Sequence, residues 1–163
     1  MAREKEQTLS MDAGAQLSDA VSVVSQPGAI AEDAWPYHEG QFKDHSPSDV
    51  EKAKHYRAST TRRLNNLAEI RAALAKGPVV IGIAVYLSFQ SNTVTKTGVV
   101  PMPAPDEFLL GGHALCIVGY DDQKKRVKFE NSWGPEWGDH GYGYLSYEYV
   151  AKYLSTDNWA LSF

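Results

Sequence analysis

The sequence predicts an α+β protein, with an antiparallel β-sheet or partly closed barrel flanked by helices. Three observations carry this expectation. Helical periodicity comes first along the chain, several short β-rich runs follow in its second half, and two of those runs are separated only by the turn Asp121–Lys125.

In chain order, residues 12–25 place Leu17, Ala20, Val21 and Val24 on one helical stripe, with Asp12 as N-cap and Pro27-Gly28 as stop. Residues 30–37 read as a covered connection anchored by Trp35-Pro36-Tyr37. Residues 38–60 are polar and read as a long surface loop with an extended piece near His55–Ala58. Asn66-x-x-Glu69 is a capping-box pattern, followed by the stripe Leu67, Ile70, Ala73 and Leu74, then Gly77 and Pro78. Residues 79–85 form an apolar, β-branched run and predict a buried strand. Residues 88–110, with Pro101, Pro103 and Pro105, read as loop. Further strands are predicted over 113–120, 126–131, 141–147 and 159–163. The polar residues 1–10 are expected to be a disordered N-terminal segment, and 11–163 a single domain.

Composition narrows the function classes. The chain has 163 residues, with 16 Lys+Arg against 20 Asp+Glu, and a net charge of -4 disfavours a strongly basic nucleic-acid binder. A single Cys excludes an internal disulfide framework and a Cys-rich zinc site. His38, His45 and His55 fit no tight metal spacing, so no metal and no cofactor are expected. No run is long enough and apolar enough to span a bilayer, and the first residues lack an apolar signal core. The expectation is a soluble, cytoplasmic protein without nucleic-acid or membrane partners.

Two segments stand out, Gly111-Gly112-His113-Ala114 and Asn131 to Gly138, joined by the hairpin. If the turn centres on Gln123, paired residues sum to about 246 by the pairing arithmetic of antiparallel strands. His113 then faces Trp133 and Asn131 faces Leu115, so His113 and Asn131 share one face within side-chain reach. An Asn carbonyl accepting an imidazole N–H fixes the ring's tautomer and frees its other nitrogen as base or acid. On the residues alone, a structural His at a strand start and an Asn in a turn remains the alternative.

The runs GGHALCIVGYDD and NSWGPEWGDHGYGYLSYEY resemble the C-terminal half of the papain-like (C1) cysteine peptidases, whose pattern there is GGHAvxxvGYd followed by NSWGxxWGxxGYgyl. Residues 11–37 and 67–85 resemble earlier segments of the same family more weakly. The resemblance implies a papain-like C-terminal lobe with an incomplete left lobe. It also implies His113 as catalytic imidazole, Asn131 as orienting amide and Trp133 as the indole covering both. Trp137 and Gly138 would be structural, and Asp121-Asp122 the hairpin turn.

The family's nucleophile lies in a Q-G-x-C-G-x-C-W helix, and these 163 residues contain no such segment. The chain therefore corresponds to roughly the C-terminal two-thirds of a member and is expected to be inactive as a peptidase by itself. Three function classes follow. A partner chain could supply the Cys-bearing helix. The chain could be a pseudoenzyme or binding module, self-associating as a homo-oligomer or holding a protein or peptide ligand. Or His113 could serve acid/base chemistry of another reaction class. Cys116 lies three residues after His113 on a predicted strand, so it points to the opposite face and reads as a buried, inert thiol. Ser132 points away from His113. His140 reads as exposed, Tyr142, Tyr144, Tyr147 and Tyr149 as core and groove wall, Glu136 and Asp139 as loop charges, and Lys124-Lys125-Arg126 as a solvated turn tip.

Overall fold

The computed structural model describes Ala2, Glu6, His38 and residues 14–36 and 45–163. The predicted N-terminal segment, Asp12 and Tyr37 otherwise lie outside the described residues. The chain divides into two compact units, residues 1–62 with 161–163, and residues 63–160.

In the first unit, helix α1 spans Leu17–Ser25, starting where its apolar stripe starts and with Gln16 as N-cap, later than the predicted range 12–25. It ends at Pro27-Gly28. Gly28 has φ +122°, and a Cβ there would sit 2.0 Å from the Ala53 carbonyl oxygen, so only glycine fits where α1's exit meets the end of the next helix. That next helix, α2 (Pro47–Ala53), falls inside the predicted loop. Its signal lies in its cap, not its periodicity. The Ser46 side chain accepts from the Asp49 N–H, the Asp49 carboxylate accepts from the Ser46 N–H at 2.9 Å, and Pro47 takes the first turn. Only Ala53 is buried, so an apolar stripe never forms. Strand β1 (Thr60–Arg63) is exposed throughout, which removes the alternation that would reveal it.

The second unit holds the site. Helix α3 (Leu67–Leu74) keeps half of the predicted capping box: Asn66 Oδ1 accepts from the Glu69 N–H at 2.9 Å, but the Glu69 carboxylate accepts from the Asn65 N–H, not the Asn66 N–H, at 2.9 Å; the helix buries Ile70 and Ala73. Strand β2 (Val79–Tyr86) buries Val79, Ile81, Ile83 and Val85 in strict alternation. The predicted loop 88–110 opens instead with a 3₁₀ turn (Leu87–Gln90) and helix α4 (Asn92–Thr97). Three Thr and one Val give α4 little helical propensity. Its caps define it, because Ser91 accepts from the Val94 N–H and Gly98 closes it at φ +68°. Strands β3 (Leu109–Asp121), β4 (Arg126–Glu130) and β5 (Tyr142–Ser146) follow. Helix α5 (Tyr147–Tyr153) then starts at Tyr147, the last residue of the predicted strand 141–147; the Ser146 side chain accepts from the Tyr149 N–H at 3.0 Å and turns the chain. Strand β6 (Trp159–Ser162) closes the order.

The six strands form an open sheet ordered β1-β6-β2-β3-β4-β5, with α3 and α5 flanking the second unit's part of it. The core of that unit joins Ile81, Ile83, Leu115, Ile117, Val127, Phe129 and Leu145 from the strands to Ile70, Phe89, Tyr149 and Val150. Asn158, fully buried, braces three segments. Its Oδ1 accepts from the Gly82 N–H at 3.0 Å, while Nδ2 donates to the Leu64 and Ser155 carbonyls at 3.2 and 2.7 Å.

Register positions the site. Cys116 pairs with Glu130 and Ile117 with Phe129, the predicted sum of 246. Nearer the turn the pairs are Gly119–Lys128, Tyr120–Val127 and Asp121–Arg126, a sum of 247. The extra residue, Val118, is a β-bulge. Were Val118 instead paired in the ladder, the turn's own register would carry up the hairpin, Asn131 would sit beside Cys116, and its side chain would face away from His113.

Candidate active site

His113 projects from β3 opposite Ile83 of β2, and Asn131 follows directly on β4. The Asn131 backbone N–H bonds the Gly141 carbonyl at 2.9 Å, which fixes the strand's exit. The two side chains meet with His113 Nε2 3.0 Å from Asn131 Oδ1. Asn131 is 8% exposed. The same Oδ1 accepts the backbone N–H of Ser132 at 2.9 Å. A backbone N–H can only donate, so the atom facing both groups is the amide oxygen. His113 Nε2 must therefore carry the hydrogen. The neutral ring is left with its lone pair on Nδ1, the nitrogen turned away from Asn131.

An aromatic cluster surrounds this pair. Trp133 stacks on the imidazole with centroids 5.2 Å apart and planes 27° from parallel, while its own outer surface remains exposed. Phe89 meets the His113 ring edge to face at 6.0 Å and the Trp133 ring at 5.6 Å. Phe89 also stacks on Trp137 at 6.0 Å and on Phe129 at 6.2 Å. Phe89 is fully buried, and sequence reasoning missed it because it lies in the 3₁₀ turn at the start of the supposed loop. Its signal was a large apolar residue between Ser88 and Gln90, with no period to frame it.

The segment after Asn131 is held by backbone contacts. Gly138 N–H donates to the Thr95 carbonyl and Gly141 N–H to the Trp137 carbonyl, both at 2.7 Å. Gly138, at φ +63°, could not carry a Cβ, which would sit 2.3 Å from the Tyr142 oxygen. Asp139 lies in the loop before β5, as expected, and is bonded there. Its carboxylate accepts from the Tyr144 hydroxyl at 2.6 Å, and that bond, with Lys128 nearby, holds the acid below the usual carboxylate range. Arg126 leaves the solvated turn tip, its guanidinium lying 3.8 Å from the centroid of Tyr144. Glu136, Ser132 and His140 are exposed.

Cys116 lies on the face of β3 opposite His113, paired with Glu130. Burial, and then the nearby Glu130 carboxylate, push its thiol pKa up, so it is the reverse of an activated thiolate. Among the described residues, two buried donors beside the site have no acceptor, Asn131 Nδ2 and Trp137 Nε1. No group of His, Cys, Asp or Glu among the described residues could hold a metal ion, and no helix there is long and apolar enough to cross a membrane.

An imidazole bonded to an amide on one nitrogen and stacked on by an indole leaves its other nitrogen able to take or give a proton. The model of the papain family of cysteine proteases matches residues 7–157, and the chain belongs to that family. It is similar to the uncharacterized peptidase C1-like protein L477 of Acanthamoeba polyphaga mimivirus, with 34% identity over 98% of this chain and 55% of that protein. It is 33% identical to cathepsin K of Mus musculus over 82% of this chain and 40% of the relative. Among solved structures, xylellain, a cysteine protease from Xylella fastidiosa, superposes with a TM-score of 0.89 at 29% identity, covering 99% of this chain and 66% of that one. The bromelain protease of Ananas comosus shares the fold, with a TM-score of 0.64 at 16% identity. The chain thus spans 55% of the mimivirus protein and 66% of xylellain.

Proposed function

We propose that the chain carries the imidazole half of a cysteine peptidase site, and that the nucleophilic thiol comes from a Cys-bearing helix outside these 163 residues, supplied by a partner chain. His113 Nδ1 takes the thiol proton, giving a thiolate–imidazolium pair. The thiolate attacks a peptide carbonyl, and the imidazolium returns the proton to the departing amine. Water, deprotonated by the same nitrogen, then releases the acyl group. Asn131 orients the ring without adding a negative charge that would compete with the thiolate, and Trp133 keeps water from their hydrogen bond.

One observation carries this reading. The Ser132 N–H and His113 Nε2 share Asn131 Oδ1, which leaves Nδ1 as the free base. Cys116 takes no part, because it lies on the other face of β3. The reading is tested by fluorogenic-peptide hydrolysis with the chain alone, then with a partner carrying a Q-G-x-C-G-x-C-W helix. The expected result is no turnover alone, and turnover on mixing that saturates with the partner and disappears in His113→Ala. Turnover by the chain alone that is lost in Cys116→Ser would overturn it.

A further inference from the structure

The ring that floors the imidazole needs something to hold it. Phe89 sits in the 3₁₀ turn Leu87–Gln90, where backbone position is set by few bonds. Two of them come from the segment just before β3. The Leu87 N–H donates to the Phe108 carbonyl at 3.1 Å, and the Ser88 N–H donates to the Glu107 carboxylate. The second carboxylate oxygen of Glu107 accepts the Ala104 N–H at 2.9 Å, and the Glu107 N–H returns to the Ala104 carbonyl at 3.1 Å. Both oxygens of one side chain are therefore spent on backbone donors from two segments, the proline-rich loop and the turn that carries Phe89. Bonds from an ionised acceptor are the stronger kind, and hydrogen bonding from Ser88 holds this carboxyl below its usual range.

From this geometry we infer that Glu107 is a positioning residue for the His113 site. It clamps Ser88, Ser88 fixes Phe89, and Phe89 fixes the packing of the His113 and Trp133 rings. The inference rests on the reading of His113 as the working base, but its test needs no turnover. The imidazole proton shifts of all five histidines are compared by NMR at one fixed pH in the unsubstituted chain, Glu107→Ala and Glu107→Gln. The other four histidines are exposed and serve as internal references. The Phe89 and Trp133 rings lie 6.0 and 5.2 Å from the His113 ring, so their ring currents mark its proton shifts. With the clamp gone, Phe89 withdraws, and the expected result is a change in the His113 ring-proton shifts in Glu107→Ala, with the references unmoved. Glu107→Gln keeps one acceptor oxygen and loses the other, so its change is smaller; it carries the test if the alanine variant fails to fold. His113 ring-proton shifts unchanged in Glu107→Gln and in any folded Glu107→Ala, or all five histidines moving together, overturn the inference. Failure of peptide hydrolysis with the His113 change intact would instead sink the peptidase reading and leave the clamp standing.

Discussion

His113 Nε2 and the Ser132 backbone N–H converge on a single atom, Asn131 Oδ1, at 3.0 and 2.9 Å. The second bond decides the first, because it fixes which end of the amide faces the imidazole. In a thiol-completed site, Asn131→Ala should then lower turnover by letting the ring rotate and change tautomer. His113→Ala should cost about 10²–10⁴-fold, the usual share of general acid–base catalysis. Steady-state hydrolysis by the completed enzyme checks both, and an Asn131→Ala loss as large as that of His113→Ala would mean the amide does more than orient.

The Val118 bulge sets the face on which Asn131 lies. Deleting Val118 removes the unpaired residue and leaves Ile117 opposite Phe129 and Cys116 opposite Glu130, so Asn131 keeps its face and the His113–Asn131 hydrogen bond should survive. Inserting one residue beside Val118 that joins the ladder should instead turn the Asn131 side chain away from His113. An imidazole N–H protected from exchange in the parent chain should stay protected in the deletion variant, and its loss there would contradict this register.

How much of this was legible beforehand depends on what each element displays. The hairpin, β2 and α3 were readable because burial imposes a period on them: Val127 and Phe129 alternate with Arg126, Lys128 and Glu130, and Ile70 and Ala73 lie on one helical face. The His113–Asn131 contact followed from counting across the turn, although the bulge that makes the count right at that end left no mark in the sequence. Helices α2 and α4 were missed for the opposite reason. Each buries a single residue, Ala53 or Val94, so only their caps announce them. Phe89 was missed because its partners come from four separate positions, His113, Phe129, Trp133 and Trp137, and no local pattern encodes such a meeting.

Packing under the site is tight at Gly143. A Cβ there would lie 2.3 Å from Cζ of the fully buried Phe129. Gly143→Ala must displace that ring, and should cost about 1–3 kcal/mol of stability, as overpacked cores do. Asn158→Ala removes the acceptor of the Gly82 N–H and the donors to Leu64 and Ser155 together. Leaving such buried groups unpaired should cost at least about 2 kcal/mol. Denaturant unfolding of both variants checks these values, and a neutral Asn158→Ala would show that the brace is dispensable.

Tyr147 supplies an alkaline prediction. Burial, and then its hydrogen bond to Asp122, push its phenol from 10.0 up to about 12. The folded state thus favours the neutral phenol. That contribution is complete below pH 10 and is lost as pH rises towards 12. Stability measured across this window should fall more steeply in the parent than in Tyr147→Phe. Equal slopes would contradict the assignment.

Cys116, with its raised pKa, should react with alkylating reagents more slowly at neutral pH than an unstructured thiol. Cys116→Ser should leave the completed enzyme's turnover unchanged. Faster alkylation of Cys116 in the presence of substrate-like peptides would contradict its inert placement.

The central claim is that His113 is the base for a thiol from outside these residues. It is tested most directly by the pH profile of alkylation of the supplied helix's cysteine, with the chain bound. With the parent chain, the account predicts a reactive thiolate persisting well below the ordinary thiol pKa, and with His113→Ala a return to ordinary thiol behaviour. Identical profiles for the two chains would contradict it.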